Sequence, residues 1–169
     1  MRFFTFTLLV CMYACKSRGL IRLQPTIEEE APLLSSIRVI DPASTSQLLS
    51  GFYALEDNAW RWTTARFSVA LAAPPTARTN GAWLVLEFTF PDASFDVLKN
   101  ITVSCRLADA QLPPETFRTS GVHEYRREVP ASAFTRNIVV ADFSVDKFFR
   151  APNGRELGII ATVIGLEPK

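Results

Sequence analysis

Between Gly51 and Arg66 the chain reads GFYALEDNAWRWTTAR, which gathers Phe52, Tyr53, Trp60 and Trp62 beside Glu56, Asp57, Arg61 and Arg66. Aromatic faces next to carboxylates and guanidiniums suit the recognition of sugars. A ring covers the C–H face of a pyranose while charged groups hydrogen-bond its hydroxyls. The same residues also suit a protein core: Trp60 and Trp62 lie two apart and share one face of an extended strand. At the level of sequence both readings stand, core and ligand platform.

Other chemistry-bearing residues are sparse. His123 is the single histidine, which removes any multi-histidine metal site and the usual zinc spacings. It follows Ser120-Gly121 at the start of a strand, a turn or surface position. A Cys105/His123 nucleophile pair needs an exposed, activated thiol. In ITVSCRL (Ile101 to Leu107), however, Ile101, Val103, Cys105 and Leu107 alternate with Thr102, Ser104 and Arg106, and that alternation turns Cys105 inward. The carboxylates Glu56, Asp57, Asp142, Asp146 and Glu156 supply the residue types of an acid/base pair, which glycoside hydrolysis needs about 5 to 9.5 Å apart. Spacing in sequence does not bring any two of them together. No G-x-S-x-G, P-loop, G-x-G-x-x-G or EF-hand pattern occurs. The expectation is a chain with no catalytic residues, no metal and no cofactor.

The N-terminus carries an address. Arg2 precedes the apolar run FFTFTLLVCMYA (Phe3 to Ala14), which stops at Lys16. It is shorter than the roughly 20 apolar residues of a spanning helix and fits the h-region of a signal peptide. Met12, Tyr13, Ala14 and Cys15 stand where a bacterial lipobox places its residues, and they resemble one, with Cys15 as the lipid acceptor. Residues 1–14 are read as signal peptide, 15–35 as a lipidated tether with Pro25, Pro32 and the acidic Glu28 to Glu30, and 36–169 as the domain. The expected location is the cell envelope, with the lipid as membrane anchor. Because Arg2 is the only charge before Cys15, the 18 Lys+Arg and 17 Asp+Glu of the whole chain leave a mature part without net charge. A nucleic-acid surface needs a basic excess, so no nucleic-acid partner is expected. Removal of Cys11 and lipidation of Cys15 leave Cys105 without a disulfide partner.

Positioning these residues falls to short strands. β-rich runs occupy 36–40, 48–55, 59–63, 66–72, 81–90, 101–107, 122–129, 137–143 and 157–166, with breaks that include Asp57-Asn58, Asn80-Gly81, Pro113-Pro114 and Asn153-Gly154. In 81–90 the inward set is Ala82, Leu84, Leu86, Phe88 and Phe90, with Trp83, Val85, Glu87 and Thr89 opposite. The run 157–166 is apolar at almost every position and reads as a central strand covered on both faces. A short turn is expected near Ser94 to Leu98. Together these features predict an all-β fold, an antiparallel β-sandwich of jelly-roll type with about 8–9 strands.

The succession Gly51-x-Tyr53-x-x-Glu56, then Arg61-Trp62-Thr63, and later Arg155-x-Leu157-Gly158 resembles bacterial jelly-roll-like β-sandwich domains attached to glycosyltransferases and methyltransferases of cell-surface polysaccharide pathways. The resemblance spans about residues 36 to 168. It implies a carbohydrate-binding-like sandwich in which Tyr53, Trp60, Trp62 or Trp83 stack and Glu56, Arg61 or Arg155 make polar contacts with a glycan or another envelope component. Glu56, Arg61 and Arg155 are equally suited to a structural ion pair. The alternative is a scaffolding lipoprotein that docks an envelope protein on an apolar outer patch around Trp83 and Val85.

Overall fold

A computed structural model describes residues 32–169; the residues read as signal peptide, Cys15 and the first part of the expected tether lie outside the described residues. Eleven strands form: β1 (Ser36–Arg38), β2 (Leu48–Phe52), β3 (Thr63–Ala72), β4 (Ala82–Phe90), β5 (Ile101–Leu107), β6 (Ala110–Phe117), β7 (Gly121–Val129), β8 (Ile138–Val145), β9 (Phe149–Arg150), β10 (Glu156–Leu157) and β11 (Ile160–Pro168). Two helices, α1 (Ala77–Asn80) and α2 (Asp92–Leu98), bridge strands, the second where the short turn is expected.

All pairings are antiparallel. One sheet runs β1-β11-β4-β7 and the other β2-β3-β8-β5-β6, with β9 and β10 as a separate ribbon. The pairs β1:β11, β3:β8, β4:β7 and β5:β6 are nested in sequence, as when one long hairpin is rolled up. That is the jelly-roll arrangement, with β2 added at an edge. The fold is therefore an all-β sandwich, and its two main sheets hold nine strands; β6 is not among the expected runs and takes the place in the count of the run 59–63.

Alternation fills the core. Ala82, Leu84, Leu86, Phe88 and Phe90 are all fully buried, and they meet Phe67, Val69, Leu71, Val103, Cys105, Val139 and Phe143 from the facing sheet. Phe67 stacks on Phe143 with ring centroids 5.0 Å apart, and Phe88 meets Phe117 edge-on at 5.0 Å. Both are favourable aromatic geometries. The backbone is held to the domain from Leu34 onward, where the buried Gln47 accepts from the Leu34 amide and donates to its carbonyl.

Three local readings need correction. The run 59–63 is not a strand. Asp57 and Asn58 both adopt positive φ, Glu56 bridges to Trp60, and the segment is the tip of a hairpin that joins β2 to β3. Asp and Asn are the non-glycine residues that best tolerate this backbone. Pro113-Pro114 does not end a strand either: both lie within β6, at a register shift against β5 and on the edge of the five-stranded sheet, where a missing N–H costs no ladder bond. The uniformly apolar C-terminal run does form a central strand, β11 between β1 and β4, but its continuous hydrophobicity does not come from two covered faces. A bulge between Ala161 and Val163 changes the phase of β11, so Ile159 and Ala161 point inward before it and Ile164 and Leu166 after it. Two alternating patterns of opposite phase, written end to end, read as continuous hydrophobicity.

Candidate functional site

The hairpin between β2 and β3 brings together most of the residues that the sequence singles out. Arg155 Nη1 lies 2.5 Å from Glu56 Oε1, and Trp60 Nε1 donates to the other carboxylate oxygen at 3.4 Å. The Arg155 guanidinium sits 5.2 Å from the Tyr53 ring centroid, while Tyr53 Oη donates to the Glu156 carbonyl at 3.0 Å. Arg61 donates to the carbonyls of Tyr53 (2.9 Å) and Val39 (3.3 Å). Chiefly through its hydrogen bond from Arg155, and against the effect of burial, the Glu56 carboxyl is held below its ordinary 4.5.

These groups are bonded to one another, and they fasten the hairpin to the loop between β9 and β10. Trp62 is half-buried and pairs through its backbone with Ile160. Trp60, by contrast, is 36% exposed and does not belong to the core. Gly51 supplies the close approach at the base of the hairpin: its φ is +77°, and a Cβ there would lie 2.1 Å from the Arg66 carbonyl oxygen.

Trp83 is not part of this cluster. It lies on β4 six residues from Thr89, the residue paired with Ile160 and hence aligned with Trp62. At about 3.4 Å per residue the separation is roughly 20 Å. The Arg126 guanidinium and the Lys169 ammonium stand 5.1 and 5.6 Å from its ring. The outer patch expected around Trp83 and Val85 does not form: Val85 is only 3% exposed, and the indole lies under two cations.

A further concave feature lies elsewhere, on the outer face of the five-stranded sheet. A groove of about 420 Å³ is lined by Ser50, Arg66, Ser68, Ser104, Arg106, Gln111, Asp142 and Ser144, with Phe67, Cys105 and Phe143 at its floor. Strand register creates it. Ser50 faces Ser68, Ser68 faces Asp142, Asp142 faces Arg106 and Arg106 faces Gln111, one residue from each of five strands. At about 4.8 Å between strands this polar row extends roughly 19 Å. Ser68 Oγ donates to Asp142 Oδ1 at 2.7 Å, and Arg106 Nη2 to Asp142 Oδ2 at 3.1 Å. The adjacent row holds Arg66, Ser144 and Ser104, and the two serine hydroxyls are 2.8 Å apart.

Sequence reading names Arg66, Ser104, Arg106 and Asp142 only in other connections and does not name Ser50, Ser68 or Ser144. A signal was present, since Arg66/Ser68, Asp142/Ser144 and Ser104/Arg106 each put polar residues two apart on the outward phase of a strand. Their juxtaposition depends on inter-strand register, which one sequence does not display. Asp142 is the one carboxylate of the groove, so the paired-carboxylate geometry of glycoside hydrolysis is not assembled there. Cys105 turns its side chain inward, and burial raises its thiol pKa far above the ordinary value. His123 lies on β7 against the rings of Phe88 and Phe117, with Nε2 2.8 Å from the Thr119 carbonyl oxygen.

No family model matches the chain, and no curated protein sequence matches it. Among solved structures, it is similar to the CBM36-1 domain of a multidomain xylanase from the hindgut metagenome of Trinervitermes trinervoides, at 14% identity and a TM-score of 0.41, covering 72% of this chain and 92% of that one. A second, described as "CBM4 structure and function", has 10% identity and a TM-score of 0.36, covering 79% and 85%. At these values the likeness assigns neither a family nor a ligand.

Proposed function

We propose that the protein is an exported, lipid-anchored and non-catalytic β-sandwich that binds a glycan of the cell envelope in the groove of the five-stranded sheet. The observation that carries this reading is the in-register polar row from Ser50 to Gln111. Serine hydroxyls both donate and accept, the Asp142 carboxylate accepts, and the arginines and Gln111 donate. A polyhydroxylated ligand is matched by such a surface, whereas an apolar protein segment would leave those groups unpaired. Trp60, the exposed ring of the nearby hairpin, supplies a stacking surface outside the groove.

The test is binding of the purified full chain, in detergent, to an array of envelope glycans. Asp142→Asn is expected to weaken every productive interaction about tenfold, the size of one lost charge-assisted hydrogen bond. Retention of full affinity by Asp142→Asn and Ser68→Ala would exclude the groove. Absence of any glycan binding would defeat the proposal itself. Anchoring is tested separately, since Cys15→Ser should move the protein from the membrane fraction to the soluble one.

A further inference from the structure

We infer that the groove selects acidic glycans, those that present a sugar carboxylate to Arg66; this rests on the glycan-binding reading above. The argument is one of charge within a defined surface. Two guanidiniums, Arg66 and Arg106, line the groove with the single carboxylate of Asp142. Both oxygens of that carboxylate are engaged, one by Ser68 and the other by Arg106. Among the described residues no carboxylate lies within 4 Å of the Arg66 guanidinium. The next acidic side chain along β8 is Asp146, one row further out, which accepts from the Thr102 amide at 2.6 Å and does not line the groove.

Arg66 and Arg106 stand on β3 and β5, on either side of β8 and in adjacent rows, about 12 Å apart across two strand spacings and two residues. Around Arg66 the lining is made of neutral hydroxyls: Ser50, Ser68, Ser104 and Ser144. The groove thus offers neutral hydrogen-bonding groups along its length and one uncompensated planar cation at one side. A guanidinium matches a carboxylate with two parallel, charge-assisted N–H···O bonds, which a neutral hydroxyl does not reproduce. A uronic acid within a chain of neutral sugars satisfies both features.

The test uses the purified full chain and matched pairs of glycans: polygalacturonate, alginate and hyaluronate, each beside its carboxyl-reduced, neutral form. Affinity for at least one acidic member should exceed that for its reduced partner about tenfold and fall as salt screens the contact. Arg66→Gln, confirmed to melt at the wild-type temperature, should abolish the preference, so that the variant binds the acidic form no more tightly than it binds the reduced form. Equal binding of acidic and reduced forms, or a preference that survives Arg66→Gln, would overturn the selection while leaving glycan binding in place. Tighter binding of a sulfated oligosaccharide of equal charge would overturn the carboxylate assignment. Loss of binding to all glycans, neutral and acidic, would remove the underlying function with it.

Discussion

Gly51→Ala separates a structural motif from a ligand motif. Gly51 opens the Gly51-x-Tyr53-x-x-Glu56 succession and lies within the register shift of β2 against β3 between Ser50 and Phe52. With φ at +77°, an alanine there carries the left-handed penalty of about 1–2 kcal/mol. Its methyl would lie 2.1 Å from the Arg66 carbonyl oxygen and 2.7 Å from Phe67 Cα, both backbone atoms of the neighbouring strand. Relieving that overlap means pushing β2 off β3, an overpacking cost of about 1–3 kcal/mol. The sum, about 2–5 kcal/mol, is a large part of the 5–15 kcal/mol typical of a domain. In urea, where small domains lose about 1–3 kcal/mol per molar, the midpoint should drop by roughly 1–3 M with little change in slope. Gly154→Ala is the control: its φ is +84° but nothing lies within 4 Å of the added methyl, so only the conformational penalty applies. A Gly51→Ala midpoint equal to that of Gly154→Ala would refute the close-approach argument. A fully stable Gly51→Ala with impaired glycan binding would show that the motif serves the ligand directly.

Further outcomes follow from other contacts. Because the folded Glu56 carboxyl ionises below its ordinary 4.5, its pairing with Arg155 stabilises the fold above that pH and the gain is lost as pH falls through the folded value. The pair is partly solvated, so urea midpoints compared at pH 7 and pH 3 should show an acid loss of no more than about 1 kcal/mol, absent in Glu56→Gln. Tyr125, whose hydroxyl donates to the Pro113 carbonyl at 2.8 Å, has its pKa pushed up to about 12 by burial. Ultraviolet titration should show one late-ionising tyrosine that disappears in Tyr125→Phe, a variant weakened by about 1 kcal/mol. Cys105 should react with a thiol reagent only as fast as the domain unfolds, and a rapid native reaction would contradict its burial. Trp60→Ala should shift stability by less than about 0.5 kcal/mol, as its exposure requires.

The sandwich was legible because alternation is a local property: Leu84, Leu86 and Phe88 announce their burial within a few residues of one another. The bulge in β11 and the prolines of β6 were misread because each breaks a pattern for reasons that lie in the partner strand. The aromatic hairpin was found, but its role was ambiguous. Only the structure shows that Glu56 and Arg155 pair with each other while Trp60 remains exposed. The groove was the least legible feature, since Ser68, Asp142 and Arg106 come from three strands separated by long stretches of chain.

The open flank of the sandwich bears on how copies of the protein behave at high local concentration. β6 and β7 are the outer strands of their respective sheets, and across the gap between them Tyr125 and Arg127 of β7 both donate to the Pro113 carbonyl. Arg127 also pairs with Glu115 at 2.8 Å. The two prolines remove donors from the rim, and the side chains of the facing sheet occupy an acceptor. A neighbouring copy crowded against this flank finds few free backbone groups with which to extend either sheet, so runaway strand addition is blocked on this side of the molecule.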